Sequence, residues 1–553
     1  MNPMRPYGAM AVRAAVCVAV VSSMAAGVWA QEGATPRHTG VPHDWSERHI
    51  VFSRDALAQH PELIYREPRI LHQAMQRWQA PNSNVFSGAD GLSAFAGTFS
   101  QRDWNLALGS HVIAHMYPAK FSFDPAAAPD CSNDYVVFGM LVPGIPGANG
   151  GQANLVALNN LYVNSSGTGF CSGIKAPTVF FAYNATTVTG GKILTSPVLS
   201  MDGTKIAFVE SVAGTSPQAI FHVLTWTKGQ GAIKNAVAPG ASMTSLTFAP
   251  ASCSASSPWV DYGADIAYVG SDKGTLYKIK GVFKGTPTLV TDNIWPVTVH
   301  ANYNLSPPVL DAGRSALMVG SSDGSLYRID TTTGGLTALV VGLRGGPTPG
   351  IVGAPIVDVA NGTTFVVSAN DGTSAVLVEA DTSAMTQKSK ARIGLGSAGG
   401  TKLNLYEPAL SNDYFTDPST GVIRLCGTNP ADTNPWQYSF GFSGTTMNTT
   451  ASFSQQLLSS TTARCTGWTE FFNATLGIDF FFFGLTQDCT AKGGSGGCVA
   501  ETTGDTPMTT ATVNGGPSGI VVDNYSNAAE AASIYLTTET GGTGYKFTQN
   551  GLQ

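Results

Sequence analysis

The chain has 553 residues, with 30 Lys and Arg against 36 Asp and Glu, so charged residues make up 12%, about half the usual share. So little charge excludes a disordered acidic or basic chain and a helical solenoid or coiled coil, while a formal net charge of −6 without a basic cluster excludes nucleic acid as a partner. Apolar residues at 43% can build a core, and 63 Gly with 31 Pro imply many turns.

Taken in chain order, the first thirty residues carry Arg5 and Arg13, an apolar run from Ala14 to Val28, and Val28-Trp29-Ala30. This reads as a secretory signal (residues 1–30) cleaved near Ala30, and it predicts a secreted or periplasmic protein. No later apolar run approaches the ~20 residues that span a bilayer, so no transmembrane segment is expected. Residues 31–100 read as an N-terminal extension with short helices. Its helical pattern is Arg69-Ile-Leu-His-Gln-Ala-Met-Gln-Arg-Trp78, with Pro68 suited to the first turn. His111 and His115 have the i,i+4 spacing of a helical metal site, yet no acidic third ligand stands in their run, and no metal site is predicted.

Residues 101–553 read as one repeat domain. A short strand, often led by Pro, opens each unit: Ser196-Pro-Val-Leu-Ser200, Ser306-Pro-Pro-Val-Leu-Asp311, Gly353-Ala-Pro-Ile-Val-Asp358, Glu407-Pro-Ala-Leu410 and Pro517-Ser-Gly-Ile-Val-Val-Asp523. A turn and a more hydrophobic strand follow. An Asp/Gly hairpin then leads into a third strand of alternating polarity, as in Ser321-Ser-Asp-Gly-Ser-Leu-Tyr-Arg-Ile-Asp330. First strands are placed near residues 118, 197, 245, 306, 354, 407, 467 and 518. Four short strands recurring every ~40–50 residues, lengthened by loops, predict an all-β propeller of eight blades, with seven as the alternative.

Seven cysteines remain after signal cleavage, and an oxidising compartment favours three disulfides with one thiol left over. In an up-and-down blade the turns between strands one and two and between three and four share a face. That rule pairs Cys131 with Cys171. It puts Cys426 and Cys465 together on the opposite face, where Cys489 and Cys498 bracket the Thr490–Gly497 loop. Cys253 is left as a free thiol.

The unit Ser306 to Gly334 resembles the repeat of quinoprotein-type, WD40-like propellers, a family of quinone-dependent dehydrogenases and cofactor-free relatives. The resemblance extends more loosely to the units near 197 and 354. Where that family has a docking tryptophan after its Thr-Gly pair, this chain has Gly335-Leu-Thr-Ala-Leu339, and the adjacent cysteines of the dehydrogenases do not occur. The resemblance therefore implies the fold, and pyrroloquinoline quinone is not expected. The opening Asp44-Trp-Ser-Glu-Arg-His-Ile-Val-Phe-Ser53 resembles the start of a group of uncharacterised exported bacterial proteins, which implies a bacterial source.

Candidate chemistry is sparse. No Gly-x-Ser-x-Gly elbow is followed by suitable acid and His partners, which argues against a serine triad. His300, in the approach to a first strand, is a candidate for the channel rim, and Tyr406 and Glu407 hold the equivalent approach two units on. Asp311, Asp358 and Asp523 end first strands. They read as turn residues, or as a ring of acids in the channel. No cofactor is expected, although Asp/Asn/Gly loops supply the oxygen ligands calcium prefers. Without a catalytic constellation, the expected function is a monomeric exported module that binds a protein or an extracellular polymer or glycan. The alternative is an enzyme acting on a sugar, lactone or alcohol in the channel, with His300 and the strand-end acids as its candidates.

Overall fold

The computed structural model describes residues 40–78, 102–124, 128–343, 349–473, 477–489, 496–505, 508–524, 526 and 528–548. The signal read at residues 1–30, the end of the extension and most of the Thr490–Gly497 loop lie outside them. The described residues form eight sheets of four or five strands, antiparallel except where Ile50–Val51 joins one of them, arranged as the blades of a propeller. The innermost strands, in blade order, are Ala119–Ser122, Val198–Leu199, Trp259–Asp261, Val309–Asp311, Ile356–Asp358, Ala409–Leu410, Thr469–Asn473 and Val521–Asp523. All are buried apart from half-buried Asp261, Phe471 and Phe472, and each runs from the upper face, where blades are linked, to the lower face, where the turn into the second strand lies.

One expected register is corrected. The strand predicted near residue 245 is Met243–Ala249, the outermost strand of blade 2, paired with Gln218–Thr225. Blade 3 opens instead at Trp259–Asp261, which follows Pro258 and so carries the Pro-led signature of the other units. Alternation in Met243-Thr-Ser-Leu-Thr-Phe-Ala suits a half-exposed outer strand, and it misled the placement because period-2 patterning does not say which side of a blade a strand lies on.

The ring is closed by the N-terminal side of the chain. Blade 8 takes Val521–Asp523, Ser533–Thr537 and Thr543–Thr548 from the C-terminal side, and its outermost strand is Arg102–Ala107, antiparallel to Thr543–Thr548. Closure buries the ion pair between Asp103 and Lys546, at 2.5 Å, in a site that neither segment forms alone.

The extension does not stand apart from the ring. Val41–His43 pairs antiparallel with the innermost strand of blade 1, setting Val41 opposite Ser122 and His43 opposite Lys120. After a 3-10 turn, Trp45–His49, capped by the Asp44 carboxylate accepting from Ser46 N at 3.0 Å, Ile50–Val51 pairs in parallel with the innermost strand of blade 5. Blades 1 and 5 face each other across an eight-membered ring. Residues 41–51 therefore rise along one wall of the channel, cross it and descend the other wall.

Three short helices follow, Arg54–Gln59, Glu62–Arg66 and Pro68–Trp78. The last has Pro at its first position, where the missing amide hydrogen costs nothing. It lies across the lower mouth of the channel. Arg69 at one end donates to Val260 O in blade 3 and covers the Trp259 ring at 4.0 Å, while Arg77 at the other reaches Asn412 in blade 6 and Glu470 in blade 7. Trp45, Ile50, Val51, Phe52, Leu57, Leu63 and Ile70 join the largest apolar core of the ring.

Candidate functional site

The upper entrance of the channel holds the most concentrated buried polar cluster near a sequence candidate. Links into the innermost strands bring Tyr117 of blade 1 and Tyr406-Glu407 of blade 6 to this level, each just ahead of a proline. The Tyr117 hydroxyl donates to Glu407 Oε1 at 2.5 Å, His115 Nε2 lies 3.1 Å from Oε2, and His49, at the tip of the inserted segment, lies 3.8 Å from Oε1. The Tyr406 ring stacks on His115 with centroids 4.3 Å apart. Burial pushes the Glu407 carboxyl up, but the neighbouring His115, then His49 and the Tyr117 hydroxyl, outweigh it and hold Glu407 down to about 2. Burial pushes His49 down, and His49 Nδ1 lies 3.0 Å from Pro355 O.

No room is left at this cluster. A Cβ on Gly353 would fall 2.7 Å from Glu407 Oε2, one on Gly467 2.6 Å from Oε1, and one on Gly519 2.4 Å from the Tyr117 ring. Three blade links thus require glycine so that backbone can close on these side chains. The arrangement ties blades 1 and 6 to the inserted segment through a shared carboxylate.

Below this level the channel is filled by the segment's own groups and by side chains of the blade walls. His43 Nδ1 lies 3.2 Å from Glu47 Oε2, and the Lys120 ammonium pairs with Asp523 and donates to Ser122. Gln73 donates to Glu47 O at 2.6 Å and to Ile50 O at 2.9 Å, fixing the crossing from beneath. At the lower mouth a cleft is bordered by Arg48, Arg77, Glu470, Phe471, Trp468 and Asn524. Here Arg77 forms a two-pronged pair with Glu470 at 3.0 and 2.6 Å, and its guanidinium covers the Phe415 ring at 3.6 Å. Beside it, burial first and the Glu470 charge second push Asp479 up to about 8.

The remaining candidates are spread through the ring. Asp311 caps the turn into the second strand of blade 4 and pairs with Arg314 at 2.9 Å. Asp358 accepts from the amides of Ala360 and Asn361 and from the Tyr414 hydroxyl at 2.6 Å. Both acids sit at the lower face, each engaged by its own turn. His300 is about one-third exposed, stacks on Tyr303 and lies 3.0 Å from Asp323 in the hairpin of the next blade, a contact at a blade junction. The loop acids Asp330, Asp371 and Asp381 accept from the amides of their own turns. Among the described residues, no group of three or more His, Cys, Asp or Glu is arranged to hold a metal ion.

Disulfides join Cys131 to Cys171, Cys426 to Cys465 and Cys489 to Cys498. Cys253 is a free thiol, half-buried, with its Sγ 3.1 Å from Val212 O. What the sequence reading missed is the segment 41–52 itself. Its short apolar runs, Val41-Pro42 and Ile50-Val-Phe52, stand amid charged and aromatic residues, and this is the signal that could have marked two strands.

No protein-family model matches the chain, and no curated protein matches it. Solved structures to which it is similar include BamB from Moraxella catarrhalis, at 12% identity over 81% of this chain and 99% of that one, with a TM-score of 0.45. The Dos1 propeller is similar at 11% identity over 81% and 96%, with a TM-score of 0.48. Sqt1 of Saccharomyces cerevisiae is similar at 12% identity over 82% and 99%, with a TM-score of 0.45. The count of eight blades rests on this chain's own sheets.

Proposed function

We propose that this chain is an exported, non-catalytic β-propeller that binds a protein or an extracellular polymer through its outer surfaces. The observation that carries the reading is the occupied channel. Propellers offer small ligands a central cavity, and here that space is taken by residues 41–52, whose apolar side chains are at most 4% exposed. The buried carboxylate of Glu407 is committed to the Tyr117 hydroxyl and two histidines, while Asp311 and Asp358 are committed to turns. Three disulfides and the absence, among the described residues, of a helix long and apolar enough to cross a membrane support the exported part of the reading.

The test is a panel of sugars, lactones and alcohols given to the purified mature chain with a dye acceptor, with and without pyrroloquinoline quinone and calcium. The reading expects no turnover in any arm, and retention of the chain on a protein or polymer fraction of the envelope. Turnover that disappears in a folded Glu407→Gln variant would overturn it in favour of a channel enzyme.

A further inference from the structure

The outermost strand of a blade is an edge, and an edge with free backbone groups and apolar side chains is a template for another strand. Most outer strands of this ring are defended. Gln387–Arg392 of blade 5 carries Lys388, Lys390 and Arg392, Met243–Ala249 exposes Thr244, Ser245 and Thr247, and Phe453–Gln456 exposes Ser454 and Gln456. Blade 4 is different. Its outer strand, Leu336–Val340, reads Leu-Thr-Ala-Leu-Val without a charge or a proline, and four of its five residues are exposed. Leu336, Val340 and the following Leu343, at 43, 52 and 38% exposure, are three of the five exposed large apolar side chains among the described residues.

The register shows which backbone groups are free to pair. Asp330 N donates to Gly335 O, and Val341 N donates to Gly324 O, so residues 335 and 341 bond inward to the third strand of the blade. In an antiparallel ladder bonding alternates from residue to residue, so 337 and 339 also bond inward, and Leu336, Ala338 and Val340 direct their N–H and C=O groups outward. The same three residues share one face of the strand. Three donors, three acceptors and an uncharged apolar row therefore coincide on one rim, and among the described residues no strand pairs with it.

We infer that this rim is a docking site for an extended protein segment that adds to blade 4 as a further strand, with uncharged, mostly apolar side chains at alternate positions. The neutrality of the edge selects such a partner, because a charged residue facing Leu336 or Val340 would lose water without gaining an opposite charge. A second copy of the chain, pairing edge to edge, is the rival occupant that the experiment below separates. The inference goes beyond the reading above, since it concerns the rim alone and stands whether or not the channel turns over a substrate.

The probe is a blocked seven-residue peptide alternating threonine and valine, with a threonine–lysine peptide as control. Hydrogen exchange of the full mature chain should show amides in 336–340 slowed at least ~5-fold by the first peptide and unchanged by the second. Leu336→Lys with Val340→Lys changes exposed side chains and should weaken binding at least ~10-fold while leaving the melting midpoint within ~2 °C. Ala338→Pro removes one outward donor at an edge position that tolerates proline, and should weaken binding comparably. Unchanged exchange at saturating peptide, or equal binding by the variants, would overturn the inference. So would a wild-type dimer that the lysine variant dissolves, which would assign the edge to a second copy.

Discussion

Glu407 shows how a residue far from its partners in sequence becomes the centre of an assembly. Its ordinary carboxyl value of 4.5 is lowered to about 2 in the folded chain, so the folded state holds the ionised form more tightly than the unfolded one does. A depressed acid contributes stability that is complete above ~4.5 and disappears as pH falls toward ~2. Wild type should lose on the order of 3 kcal/mol through this group across that window, and Glu407→Gln should lack that part of the acid transition while melting lower at pH 7. Urea melts of both proteins between pH 2 and 7 provide the check. Asp479 has the opposite sign. Raised from 3.8 to about 8, it favours folding fully below ~4 and progressively less as pH rises to ~8. Asp479→Asn should leave the melting midpoint near pH 4 unchanged and raise it by ~2–5 °C at pH 8.5, read by calorimetry. At this scale the sequence exposed Tyr406 and Glu407 through their position before a Pro-led strand. His115 looked isolated because its acid comes from another blade, and no local spacing encodes that meeting.

Among the elements, the cysteine positions were legible because strand polarity alone fixes the face of each turn. In a chain beginning at residue 31, the three disulfides should leave one reactive thiol, at Cys253, when the protein is unfolded without reductant. Cys253→Ser should remove that thiol with little effect on melting. Loss of Cys131 should cost ~2–4 kcal/mol and expose an added thiol at Cys171. Peptide mapping of alkylated protein distinguishes these outcomes. The outer strand of blade 2 was misread as an inner one, since period-2 alternation does not say on which side of a blade a strand lies, whereas Pro258 before Trp259 held the better clue. The segment 41–51 was legible only as an irregular extension. Its strands are two and three residues long, and each acquires its meaning from a blade wall rather than from its own pattern.

Across the whole molecule, recurrence of the Pro-led strand and the Asp/Gly hairpin pointed to a propeller of eight blades, with seven as the alternative, because most blades repeat the same local solution, and the sheets of the described residues number eight. Ring closure was not legible. Arg102–Ala107 has a weak alternation, and its partner Thr543–Thr548 lies at the other end of the chain, so the pairing depends on seven intervening blades being in place. The central claim is that the channel is occupied by the chain's own N-terminal segment, leaving the outer surfaces to do the binding. Hydrogen exchange of the full chain at residues 41–51 tests it most directly. If the claim holds, the amides of this segment that bond to the blade walls exchange as slowly as those of Ala119–Ser122 and Ile356–Asp358, with protection lost only on global unfolding. Exchange of residues 41–51 within seconds, while the innermost strands stay protected, would show an open channel and contradict the account.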